Sequence, residues 1–162
     1  IEQDKVDEAN KEMLLPSGSY LTQPTPEIPF GKQIGKNDAG RLVVTLWGPV
    51  VHKKDASVKG RIRIRVSPEY VRKEESGKFD YMSQRWTEAV NAYKRSFGEA
   101  PSNKGQVIEM LEKYPVALRI GQVGVPTKSR PEPDGEPDNI VWNIQAAPKG
   151  MGAAELSDEV PF

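Results

Sequence analysis

Residues 60–66 read GRIRIRV, and their period of two governs the reading of the chain on either side. In an extended strand successive side chains leave opposite faces, so Arg61, Arg63 and Arg65 line one face and Ile62, Ile64 and Val66 the other. One face is suited to a core, the other to water or to a charged partner. Immediately upstream, RLVVTLWGPVVH (residues 41–52) is the clearest apolar strand, with Leu42, Val44 and Leu46 on one face and Val43, Thr45 and Trp47 on the other. Gly48 and Pro49 predict a bend or bulge in it. Only the polar stretch KKDASVKG separates the two strands, so they are expected to pair as a hairpin.

Outward from this hairpin the pattern changes twice. Upstream, LLPSGSYLTQ leads into a first short strand around Gly18 to Thr22, and QPTPEIPFGKQ is a connection that cannot be a central strand, because Pro24, Pro26 and Pro29 supply no ladder donor. Downstream, Phe79, Met82, Trp86, Ala89, Val90, Tyr93 and Phe97 recur at helical spacing, which predicts an amphipathic helix over 79–97 that Gly98 ends. A shorter helix is expected over 105–113, then a strand in YPVALRIGQVGV, a turn-rich loop in PTKSRPEPDGEPD, and a last strand in NIVWNIQA. There Ile140, Trp142 and Ile144 would share one face, so Trp142, like Trp86, reads as core.

The order is strand, strand, strand, helices, strand, strand, with no βαβ rhythm. It predicts a mainly β fold with a helical insertion: a five-stranded Greek-key barrel of the OB type, its helices between strands three and four. An α+β sandwich is the alternative. The expected organisation is an acidic N-terminal segment over 1–13, the folded domain over 14–147 and a flexible acidic tail over 148–162.

The 162 residues include no cysteine and a single histidine, His52, which removes disulfides, cysteine-based zinc sites and histidine-rich catalysis. No apolar run reaches the roughly 18 residues of a membrane span, and the first residues are acidic where a signal peptide would be basic; a cytoplasmic protein is expected. Net charge is zero but segregated. Residues 31–78 hold twelve Lys and Arg against five Asp and Glu, whereas residues 131–162 hold one against seven. A partner meets this local field, not the average.

Enzymatic motifs fail one by one. Asp134, Glu136 and Asp138 alternate like the opening of a calcium loop, but Asn139 stands where the glycine is needed and Gln145 where the bidentate glutamate is needed. A nuclease cluster of Asp138 with Glu109 or Glu112 lacks an acidic-x-Lys partner. GKQIGKNDAG has no phosphate-loop ending. No catalytic residue, metal or cofactor is expected.

What remains is the basic body: Lys32, Lys36 and Arg41, then Lys53, Lys54 and Lys59, the three strand arginines, and Arg72 and Lys73. Grooves that hold single-stranded nucleic acid pair such charge, which meets phosphates, with aromatic rings, which stack on bases. Trp47 and Tyr70 are the candidate rings, with Tyr20 a weaker third. A solvated outer face is the plainer alternative, but only Glu69 interrupts the basic residues between Lys59 and Lys73, so cross-strand ion pairing has few acids to use.

The last residues, ELSDEVPF, resemble the acidic tip of bacterial and phage single-stranded-DNA-binding proteins: Asp158 and Glu159 stand for the acids, Val160 for the aliphatic residue, and Pro161 and Phe162 match outright. LLPSGSY, the basic strand pair, the central helix and YPVALRIGQV look like phage-encoded OB-fold DNA-binding proteins. The resemblance implies sequence-nonspecific binding and protection of single-stranded DNA in replication, recombination or repair, in a bacterial host cell if phage-encoded. It also implies that Asp158, Glu159, Val160, Pro161 and Phe162 recruit replication or recombination proteins. RNA as a ligand and homo-oligomerisation stay open. A protein-interaction or virion-assembly module that docks an acidic partner on its basic face is the alternative.

Overall fold

The central hairpin forms as its alternation predicts. In the computed structural model, which describes residues 14–38, 40–69, 80–129, 131–132 and 135–148, β3 (Leu42–His52) pairs with β4 (Lys59–Val66) antiparallel from Val44 opposite Val66 to Val51 opposite Lys59. The register is unbroken, so Gly48 and Pro49 make no bulge, contrary to one of the two expectations for them. They mark a change of partner instead. On its other edge β3 pairs over Leu42–Trp47 with β2 (Gly31–Lys36) and over Val50–His52 with β1 (Gly18–Thr22). Pro49, which has no N–H to give, lies at the changeover, and its carbonyl accepts from the Gln23 N–H at 2.9 Å.

From β1 the sheet continues to β5 (Val116–Val123) and β6 (Asp138–Ala146), all antiparallel. It curls into a half-barrel, so the fold is the expected mainly β, OB-like one, with helices α1 (Tyr81–Phe97) and α2 (Lys104–Lys113) inserted between β4 and β5. The described residues contain six strands, not five. β2 lies in the stretch read as a connection; it is an edge strand whose one aliphatic residue, Ile34, is 49% exposed, so it carries no buried-face signal. Among the described residues no helix is long and apolar enough to cross a membrane.

The inner face collects Val44, Leu46, Val50, Ile62, Ile64, Val66, Leu118, Ile120 and Ile144, and the helices close over it with Ala89, Ala92, Tyr93, Val107, Met110 and Leu111. Removing these apolar surfaces from water drives the collapse. Asp80 caps α1 by accepting the Ser83 N–H, and Gly98 ends it at φ 75°, in the left-handed region that glycine enters at little cost. Trp86 packs against the core as expected.

Trp142 does not. The β5–β6 register runs Arg119 opposite Asn143 and then Ile120 opposite Val141, so Trp142 is an extra residue, a bulge. Past a bulge the alternation changes phase: Val141 and Ile144 are buried, whereas Trp142 is 50% exposed. The free edge of β6 is closed by α1. Arg85 Nη1 donates to the Val141 carbonyl at 3.3 Å, and Glu88 Oε1 accepts the Ile144 N–H at 3.0 Å. Arg85 Nε also lies 2.9 Å from Glu88 Oε1. Burial lowers the guanidinium's pKa from its ordinary value and Glu88's charge opposes the shift.

Candidate nucleic-acid interface

With the inner face of β3 and β4 filled by aliphatics, their odd-numbered residues must face out. Lys59, Arg61, Arg63 and Arg65 are all exposed along β4, in one row. Opposite them on β3 stand Val51, Pro49, Trp47 and Thr45, so Trp47 sits directly across from Arg63. Its indole is 39% exposed and lies over Gly31 of β2, where a Cβ would overlap the ring. Gly31 is therefore the residue that lets an indole lie against the sheet with its other side toward solvent.

Beside this row the surface is concave. A trough of about 340 Å³ is lined by Gln33, Val43, Thr45, Arg65 and Tyr81, and a smaller one of about 100 Å³ by Arg63, Arg65, Tyr81, Val123, Asp138 and Ile140. They meet at Arg65 and Tyr81. Among the described residues Asp138 is the acid that meets the row: its Oδ2 is 3.5 Å from Arg63 Nη2 with both side chains more than half exposed, a geometry that contributes little. Among the described residues Lys59, Arg61 and Arg65 have no ion-pair partner.

The remaining basic residues scatter. Lys53 and Lys54 stand in the β3–β4 turn, next to the row. Lys32 and Lys36 lie opposite Leu46 and Leu42, on the other side of β2 from the Trp47 indole, and Lys32 Nζ pairs with Glu112 of α2 at 3.1 Å. Arg41 is structural. Its Nη2 donates to both Asp80 oxygens at 2.8 and 2.6 Å and to the Glu69 carbonyl at 2.6 Å, and its Nε donates to Ser67 Oγ at 3.0 Å. With the Arg41 side chain 11% and the Asp80 side chain 7% exposed, this pair pins the start of α1 to the start of β3. It thereby places Tyr81, the next residue, on the rim of both troughs.

Tyr20 is no ligand ring: it is fully buried, its hydroxyl donates to the Pro16 carbonyl at 2.7 Å, and burial raises its phenol pKa. His52 ends β3, edge-on to Tyr20, with Nδ1 accepting the Lys54 N–H. Tyr70, Arg72 and Lys73, and the tail residues Asp158, Glu159, Val160, Pro161 and Phe162, lie outside the described residues. Glu109 pairs with Lys113, Glu112 with Lys32 and Asp138 with Arg63, so the carboxylates of the imagined nuclease cluster are each engaged by a different cation.

Two surface rings escape a reading of the sequence, the half-buried Tyr81 and the exposed Trp142. Tyr81 opens a helix whose stripe reads as core, and only its place at the first turn betrays a rim position; Trp142 is turned out by the bulge. No protein-family model matches the chain, and comparison with curated proteins gave no match.

Proposed function

We propose that this chain binds single-stranded DNA without sequence preference on the outer face of β3 and β4, protects it in replication, recombination or repair, and recruits partner proteins through residues 158–162. One observation carries the reading: four exposed cations on one strand run beside an exposed indole and two shallow troughs, and among the described residues the acid that reaches them, Asp138, does so weakly. Phosphates would supply the counter-charge that the described residues lack here, and bases a π-face for Trp47. On this reading the protein recognises its ligand and catalyses no reaction.

Fluorescence anisotropy on a labelled single strand and its duplex, at two salt concentrations, tests it. The single strand should bind more tightly, and its affinity should fall with salt. Changing Arg61, Arg63 and Arg65 together to Ala should flatten the log–log salt slope by about 0.7 for each phosphate that is no longer neutralised. A folded triple variant with unaltered slope overturns the assignment. Failure to bind any polynucleotide leaves the same face to an acidic protein, the alternative reading of the charge.

A further inference from the structure

Trp142 and Arg119 sit on a face that the β3–β4 surface does not include. We propose that they form a second contact for single-stranded nucleic acid, on the outward side of β5 and β6, an inference that rests on the function proposed above. The Trp142 indole lies over Gly121 of β5, where a Cβ would overlap it, as the Trp47 indole lies over Gly31. Both rings thus have one side on backbone and the other toward solvent. A ring already held in place loses little freedom when a base stacks on it.

The charge around Trp142 identifies the occupant. Arg119 leaves β5 on the same side as Gly121, two residues away, is exposed, and among the described residues has no ion-pair partner. β1, β5 and the part of β6 from Asn139 to Ala146 contain no acid. An anion therefore meets attraction here and no opposing carboxylate from these strands. Trp142 and Val123 are the large apolar side chains exposed on β5 and β6, too few for the roughly 800 Å² per partner of a stable protein interface.

Continuity with the first surface comes through the seam between β4 and β6. Asp138, at the start of β6, meets Arg63 across it at 3.5 Å. Trp142 lies four residues further along β6, about 13 Å at the rise of a strand. A strand of nucleic acid seated on Trp47 and Arg63 has a path to Trp142 only if it is long enough to cross that seam.

Length dependence is the test. Anisotropy is measured with oligo-dT of about 4 and about 16 nucleotides, a span that brackets the site sizes of OB folds. Trp47→Ala should weaken both. Trp142→Ala should weaken the long oligonucleotide at least about five-fold and leave the short one unchanged. Trp142→Phe should restore most of the loss, and Arg119→Ala should lower the salt slope for the long oligonucleotide by about 0.7. Because Trp142 is half exposed, its variants should keep the wild-type melting temperature. If Trp142→Ala binds both lengths like wild type while Trp47→Ala is weakened, the second contact is wrong and the proposed function stands. If the wild type binds neither, both fall. Unchanged DNA affinity with altered sedimentation would assign Trp142 to a second copy and overturn the inference.

Discussion

Arg41 and Arg63 are the same residue type, both near β3, and their surroundings give them opposite work. Arg63 is 53% exposed and shares one long ion contact, whereas Arg41 is 11% exposed and bonded to Asp80, Ser67 and the Glu69 carbonyl. Arg41→Ala would strip the guanidinium from a carboxylate that is itself buried, a loss of about 3 to 5 kcal/mol. Chemical denaturation should show that loss, with the salt slope of DNA binding unchanged wherever the variant is folded. Arg63→Ala should do the reverse: stability within about 0.5 kcal/mol of wild type, and a slope lower by about 0.7. A normal midpoint for Arg41→Ala would return that residue to the binding surface. Nothing in NDAGRLV tells the two roles apart, because Asp80, which decides the matter, is far away in the chain.

At the scale of elements, the platform under each exposed indole is a glycine on the neighbouring strand. Gly31→Val makes the point testable, since valine suits an edge strand by propensity and should not weaken β2 for its own sake. Its Cβ would occupy the space of the Trp47 ring, which must lift or turn. We expect a changed near-ultraviolet circular dichroism signal from the indoles, an intact fold, and single-strand affinity reduced toward that of Trp47→Ala. Undiminished affinity would mean that Trp47 does not stack. The hairpin and both helices are legible in the sequence because each is a local pattern, and Gly98 stops α1 as expected; Asp80, inside the helix by the apolar stripe, is instead its N-cap, so α1 begins at Tyr81. Two elements are hidden from such a reading. β2 presents Lys32, Ile34 and Lys36 toward the side of Leu46, and lysines and an exposed isoleucine carry no strand signature. The β6 bulge adds one residue without altering composition, yet it reverses which of Val141 and Trp142 is buried. The row of arginines is legible for the opposite reason, that an uninterrupted strand needs only its period of two.

At the scale of the whole molecule the charge distribution matters more than any pair. The exposed cations of β4 belong to a body richer in Lys and Arg than in Asp and Glu, and the same chain carries an acidic C-terminal region with one basic residue against seven acids over 131–162. If the face binds single strands as proposed, covalent attachment would hold Glu155, Asp158 and Glu159 at a high effective concentration near it, and they should compete with phosphates for the same guanidinium groups. Replacing Glu155, Asp158 and Glu159 by Gln, Asn and Gln removes three of those charges and changes none of the described residues. Affinity for single strands should rise at low salt. The gain should shrink toward zero near physiological ionic strength, where the Debye length has fallen to about 8 Å and exposed charges further apart are screened. Titrations of both proteins across that range measure it, with the Arg61, Arg63 and Arg65 triple-alanine protein as the control that should show no gain at any salt. A gain that persists in the triple variant would place the tail's target elsewhere on the body, and a fall in affinity on neutralisation would show that the acids assist binding instead of competing with it.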